Sequence, residues 1–244
     1  TSGITTTGAT VIENLEAKSH GILIWRALLQ WLGGVGIIVM ALAVLPMLSI
    51  GGMQLFKTES YETPDKVVPK AASFAAGISI VYITLTVIWA LMLWGAGMPM
   101  FDSIAHAMTT LATGGYSTKS ESLAAFNSST IEIIIIFGML VGSLPFVHYL
   151  TLSKNGLKNL IKDDQVKLFL TMVLFVVLII SFYLSFNNMP YLDALRLASF
   201  NVVSIITGTG FGTSNFSNWG GFPTTILLIL MFVGGCAGST TCGL

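Results

Sequence analysis

Three short threonine/glycine segments interrupt a chain otherwise written in apolar runs: Thr5-Thr6-Thr7-Gly8-Ala9-Thr10, Ala112-Thr113-Gly114-Gly115-Tyr116-Ser117 and Thr207-Gly208-Thr209-Gly210-Phe211-Gly212. They recur roughly every 100 residues, a period that points to an internal repeat. The flanking sequence says what solvent they sit in. Residues 21–50, 71–97, 130–152 and 166–186 are each apolar enough and long enough to cross about 30 Å of hydrocarbon, whereas 222–233 is too short to cross alone. With 54% hydrophobic and 9% charged residues and a mean hydropathy of +0.83, the chain lies far from the roughly 25% charge of soluble domains. It reads as an integral membrane protein. At membrane depth, backbone that is neither helix nor barrel is tolerated only where protein buries it or water bathes it. Three such segments therefore predict one shared aqueous path.

The order of elements supports a repeat. After the second long stretch, Met98-Pro99-Met100-Phe101-Asp102 reads as a turn and a helix start, with Asp102 near the N-cap. That helix runs into the second Thr/Gly segment after about ten residues, too short to cross a bilayer, so the backbone must return. After the fourth stretch, Asn187-Asn188-Met189-Pro190 forms a turn, residues 191–206 a short helix with Asp193 near its start, and Thr207 opens the third segment. Aligning Gly115 with Gly210 also pairs Tyr116 with Phe211 and Thr118 with Thr213. The unit is helix, half-helix, loop, helix. Lys154, Lys158, Lys162 and Lys167 crowd one connection, while 187–190 and 213–223 carry no lysine. By the positive-inside rule the lysine-rich side is cytoplasmic and the Thr/Gly segments open outward.

These segments suit a dehydrated monovalent cation. Backbone carbonyls supply oxygen ligands without fixed charge, glycine permits the dihedrals that aim them at one axis, and each half-helix points its partially negative C-terminus at the site. No carboxylate falls within them, which disfavours a divalent cage. K⁺ is the expected substrate, with Na⁺ and Rb⁺ as related cations. The zero net charge favours no nucleic-acid partner.

Together with Gly234-Gly235-Cys236-Ala237-Gly238-Ser239-Thr240, the three segments resemble the Trk/Ktr/HKT superfamily of potassium transporters, and its bacterial TrkH type in particular, over essentially the whole chain. The resemblance implies an all-α integral membrane fold of repeated M1-pore helix-M2 units with re-entrant filter loops around a K⁺-channel-like pseudo-fourfold pore. On that plan residues 1–50 hold the filter loop and M2 of repeat 1, 51–152 repeat 2, and 153–244 repeat 3 up to the start of a gating loop, with the beginning of repeat 1 and all of repeat 4 absent. Both ends of the sequence read as cut. The key filter glycines carried over are Gly8, Gly115 and Gly210, flanked by Thr6, Thr7, Thr113, Gly114, Gly208 and Thr209. Gly234, Gly235, Gly238, Ser239, Thr240 and Gly243 correspond to the family's intramembrane gate, with Thr241 and Cys242 where members usually carry further glycines. The resemblance further implies a homodimer in the bacterial inner membrane, with its filter facing the periplasm. A cytoplasmic TrkA-like subunit of the RCK type would regulate it by binding NAD(H) or adenine nucleotide. This chain has no GxGxxG after a strand and is expected to bind no cofactor itself.

Other residues are less directed. Gly33, Gly34 and Gly36 read as close-packing surfaces. Arg26, just inside an apolar stretch, either snorkels or serves the path. Arg196 and Asn201 either brace the third segment or meet lipid headgroups, and Glu132 reads as interfacial. Cys236 and Cys242 read as packing residues, and His20, His106 and His148 lack metal-ligand spacing. No nucleophile elbow or triad emerges, so an enzyme is not expected. Two alternatives stay open: an ion-coupled symporter using H⁺ or Na⁺ around broken helices, and a non-conducting membrane scaffold.

Overall fold

The structure, a computed structural model, describes residues 1–40, 67–155 and 158–241. Regular elements among them are helical. They are α1 (His20–Val39), α2 (Val67–Gly95), α3 (Met100–Leu111), α4 (Ser129–Gly142), α5 (Phe146–Asn155), α6 (Lys158–Lys162), α7 (Asp164–Phe186), α8 (Tyr191–Ile206) and α9 (Gly221–Leu230), with short 3-10 turns at Leu15–Ala17, Ser122–Phe126 and Phe216–Trp219. Most of the charged loop expected at 51–70 lies outside the described residues, as do Cys242 and Gly243.

The order long helix, half-helix, loop, helix appears twice, as α2-α3-loop-α4 and α7-α8-loop-α9. Both half-helices start after a proline, Pro99 and Pro190, in extended backbone with ψ of 142° and 133°. Proline's fixed φ and missing N–H suit that position. Asp102 and Asp193 lie in the first turn without capping it by a side-chain hydrogen bond; there the carboxylates sit at the favourable end of the helix dipole.

Three described helices are long and apolar enough to cross a membrane, His20–Val39, Ala75–Gly95 and Asp164–Phe186. Their outward faces are as apolar as their inward ones. On α2, Ile78, Tyr82, Trp89 and Leu93 are buried while Ile80, Val87 and Leu91 are exposed; on α7, Val173 and Ile180 are buried while Leu174, Phe175 and Phe182 are exposed. A helix apolar all round needs hydrocarbon on the side its neighbours leave bare. Inside, an aromatic row links α1, α2 and α5, with Trp31 and Tyr82 centroids 5.3 Å apart and Tyr82 and Phe146 5.8 Å apart. Its polar atoms are bonded, Trp31 Nε1 to Thr86 Oγ1 at 2.9 Å and Tyr82 Oη to the Trp31 carbonyl at 3.3 Å.

The third apolar stretch, 130–152, departs from its expected continuity. It breaks between Gly142 and Phe146, giving α4 and α5. Pro145 offers no N–H to the helix ladder, and the freed groups find partners on a distant loop: Cys236 N–H donates to Ser143 O (3.1 Å), Thr240 N–H to Gly142 O (3.1 Å), and Phe146 N–H to Gly238 O (3.0 Å). That loop begins where α9 stops, at the half-span anticipated for 222–233.

A candidate cation filter and its supports

Each half-helix ends by turning into its Thr/Gly segment through the same left-handed cap. Thr113 N–H donates to Thr110 O (3.0 Å) and Gly114 N–H to Thr109 O (2.9 Å), the paired bonds of a Schellman motif. Segment 1 repeats both, Thr6 N–H to Gly3 O (3.0 Å) and Thr7 N–H to Ser2 O (3.1 Å), and segment 3 repeats the first, Gly208 N–H to Ile205 O (3.0 Å). Positive φ then alternates in register: Thr6 (53°) and Gly8 (76°), Thr113 (48°) and Gly115 (74°), Gly208 (67°) and Gly210 (80°). The intervening Thr7, Gly114 and Thr209 are not in that region. Alternating hand along an extended strand turns successive carbonyls to one side, whereas a strand of one hand alternates them. Holding threonine, a β-branched residue, at positive φ costs on the order of 1–2 kcal/mol, so the surroundings over-determine this conformation.

The segments also lean on one another. A Cβ on Gly8 would collide with the Gly114 carbonyl oxygen, and one on Gly115 with the Thr209 carbonyl oxygen. The same neighbour relation continues beyond the segments. Ser120 N–H and Oγ donate to Glu16 at 2.7 Å each, while Leu123 N–H donates to Gly212 O (3.1 Å) and Gly212 N–H to Ser122 Oγ (3.2 Å). The two bonds from Ser120 hold the Glu16 carboxyl down at about 2. Gly208 and Gly210 face open space.

Several supports were not apparent from the residues alone. Gln30 of α1 is fully buried; its Nε2 donates to Gly114 O (2.5 Å) and its Oε1 accepts from Tyr116 N–H (3.0 Å). An uncharged polar side chain in an apolar helix was the available signal. His106 of α3 bonds Asp102 O at 2.8 Å and Ser117 Oγ at 2.9 Å. Asn201, which aligns with it in α8, donates to Leu197 O (2.9 Å) and reaches Thr213 and Ser214 hydroxyls at 3.4 and 3.3 Å. Asn201 thus braces the C-terminal end of segment 3. Arg196 instead pairs with Glu132 of α4, Nη1 lying 3.1 Å from both carboxylate oxygens. Glu132 is correspondingly buried, contrary to the interfacial expectation. Arg26 is also buried, stacked 4.2 Å over the Tyr116 ring with Nη2 donating to Thr10 Oγ1 (3.0 Å), so it does not snorkel. Gly33 abuts the Ile4 carbonyl and Gly34 packs on Tyr82 and Ala112, while Gly36 faces open space.

Of the residues expected in a gate, Gly234, Gly235, Gly238, Ser239 and Thr240 form a compact turn. Gly234 and Gly238 have φ of 72° and 75°, Ser239 Oγ donates to Cys236 O (2.6 Å), and Cys236 is a buried free thiol. Thr240 Oγ1 lies 2.9 Å from both Leu111 O and Gly142 O and 3.3 Å from Thr113 Oγ1. Its single proton serves one carbonyl at a time. The turn thus touches the base of segment 2, where α3 ends. Behind it lies a cavity of about 230 Å³ lined by Phe169, Met172, Val233 and Gly235 among others. Below, Asp163 caps α7 by accepting from Gln165 and Val166 N–H and pairs with His148 Nε2 at 2.7 Å. Burial pushes the Asp163 carboxyl up, but the bonds from His148, Val166 and Gln165 outweigh it and hold it below its usual range.

Comparison with known proteins fits this geometry. The TrkH family model, described as a cation transport protein, matches residues 1–244. The chain belongs to the TrkH family. That is a family of cation transporters, not of enzymes. The Trk system potassium uptake protein TrkI of Halomonas elongata is 39% identical to it over 245 residues, covering 100% of this chain and 50% of that protein. The Trk system potassium uptake protein TrkH of Salmonella typhimurium is 42% identical over 248 residues, covering 100% of this chain and 51% of that protein. The crystal structure of the potassium transporter TrkH from Vibrio parahaemolyticus superposes with a TM-score of 0.87 at 37% identity, over 99% of this chain and 50% of that one. This TrkH-family chain therefore spans about half the length of the curated relatives it matches. It is a helical membrane protein of that fold.

Proposed function

We propose that the protein carrying this chain takes up K⁺ across the bacterial inner membrane, and that Gly8, Gly115 and Gly210, with the carbonyls of Thr6, Thr7, Thr113, Gly208 and Thr209 and with Gly114, whose carbonyl Gln30 holds, form its selectivity filter. The observation that carries this reading is the alternation of positive φ in register across three segments that lean on one another's carbonyls. Carbonyls turned to one side can replace a cation's hydration shell, and the C-termini of α3 and α8 add partial negative charge beneath. A fourth segment, from outside this chain, would stand against Gly210. On this plan residues 1–50, 51–152 and 153–244 belong to repeats 1, 2 and 3, and the filter faces the periplasm, opposite the lysine-bearing connections of α5 to α7. The potassium-uptake names of relatives such as TrkI and TrkH support the choice of ion.

The turn at 234–241 is then a gate, with Gly243 as its continuation. It caps the base of segment 2 through Thr240, and the cavity against α7 offers room to withdraw. Homodimerisation and control by a cytoplasmic RCK-type subunit binding NAD(H) or adenine nucleotide complete the proposal by family resemblance. The test is radioactive Rb⁺ uptake into proteoliposomes by the full-length protein, competed by K⁺ or Na⁺, with Gly115→Ser and Gly210→Ser alongside. Strong uptake competed better by K⁺ than by Na⁺, with both substitutions eroding that preference, is expected. Folded protein whose preference ignores both substitutions refutes the filter.

A further inference from the structure

Segments 1 and 3 each brace themselves with a pair of threonine hydroxyls two residues apart. Thr5 and Thr7 lie 2.8 Å apart, and Thr207 and Thr209 lie 2.7 Å apart. In segment 2 the aligned positions are Ala112 and Gly114, which have no hydroxyl. The amide of Gln30 occupies the place of that pair. A Cβ on Gly114 would strike the Gln30 amide carbon and lie 2.6 and 2.7 Å from its oxygen and nitrogen. The absence of a side chain at 114 and the presence of glutamine at 30 therefore require each other. The orientation of the amide is fixed by its partners. A carbonyl at Gly114 demands the NH₂ and the N–H of Tyr116 demands the oxygen.

These two bonds span Gly115, a glycine, which itself imposes little torsional restraint. Rotation of either peptide plane beside it would turn the Gly114 carbonyl or the Tyr116 N–H away, and each rotation breaks a bond to Gln30. We infer that Gln30 is a positioning residue for ion selectivity: from the neighbouring helix it locks the peptide planes on both sides of Gly115, a task that segments 1 and 3 perform with their own threonines. This inference rests on the filter reading above.

The experiment uses the full-length protein in proteoliposomes and measures competition of Rb⁺ uptake by K⁺ and by Na⁺. The variants are Gln30→Met, Gln30→Asn, the triple variant Gln30→Ala/Ala112→Thr/Gly114→Thr, and Gly115→Ser. Methionine fills the space without hydrogen bonds. Asparagine keeps the amide but is one methylene too short to reach both atoms. Each is expected to lower the K⁺ over Na⁺ preference about tenfold, the change expected from roughly 1.4 kcal/mol. The triple variant, which installs the hydroxyl pair of the other segments, should restore most of it. Should the methionine variant fail to fold, the asparagine variant decides the question. A folded Gln30 variant that keeps the parent preference while Gly115→Ser loses it overturns the role of Gln30 and leaves the filter standing. If Gly115→Ser also keeps the preference, the filter reading itself falls, and the inference with it.

Discussion

Alanine at Gly115 and alanine at Gly208 impose nearly the same torsional burden but very different steric ones. The two glycines have φ of 74° and 67°, so an L side chain costs on the order of 1–2 kcal/mol at either. At Gly208 the new Cβ meets nothing within 4 Å. At Gly115 it falls on the Thr209 carbonyl oxygen and lies 2.8 Å from that carbonyl's carbon. Both atoms are backbone, so segments 2 and 3 must part by on the order of an ångström, and overpacking of this kind adds about 1–3 kcal/mol. Gly208→Ala should therefore destabilise by roughly 1–2 kcal/mol and Gly115→Ala by roughly 2–5. Thermal unfolding of the full-length protein in detergent, followed by tryptophan fluorescence, ranks them, and Rb⁺ uptake tests the proposed filter. Gly208→Thr should be accepted as readily as Gly208→Ala, because Thr6 and Thr113 already occupy that conformation in the other segments. Equal losses at 115 and 208, or a larger loss at 208, would refute the account of segments resting on one another's carbonyls.

Three further predictions follow from the supports. Arg196→Met should lower the unfolding temperature more than Glu132→Gln, because it strands a carboxylate whose side chain is 7% exposed, whereas Arg196 is 30% exposed and retains Asp193 at 3.7 Å; the reverse ranking in the same melt would contradict the pairing. Thr240→Val removes the hydroxyl at the Leu111 and Gly142 carbonyls while keeping its shape, so unstimulated Rb⁺ flux should rise, and unchanged or reduced flux would count against a latch. The Glu16 carboxylate has a depressed folded pKa, so its tie to Ser120 is fully present above the ordinary value of 4.5 and is released as pH falls through about 2. A carboxyl-carbon NMR titration should place it there, and an ordinary midpoint would dismiss the tie.

Much of the helical plan can be read from the residues because its causes are local. Apolar runs, the two X-Pro starts and the glycines after α3 and α8 place both half-helices, and residues 191–206 coincide with α8. The break in the third stretch is different. Pro145 marks it, but the groups that make it tolerable at membrane depth come from 236–240, far along the chain. Glu132 and Arg196 have no sequence relation that announces their pairing, and Asn201 was distinguishable from a lipid-facing residue only once α8 was seen from the filter side. Gln30 is the sharpest case. Its role becomes visible only when the missing hydroxyls of segment 2 are compared with those of the other two.

The break between α4 and α5 and the turn at 236–240 complete each other's backbone through three hydrogen bonds. A turn that withdraws leaves those donors and acceptors bare on both sides. In hydrocarbon each would cost several kcal/mol, whereas in water each is nearly compensated. If this turn is the gate proposed above, separation and flooding are one event, and the pathway cannot open dry. Water would then enter that equilibrium as a reactant, with more molecules bound in the open state than in the closed one. Impermeant osmolytes that lower water activity without touching the protein should then hold the turn in place, so that the buried helix break would act as a gauge of water activity.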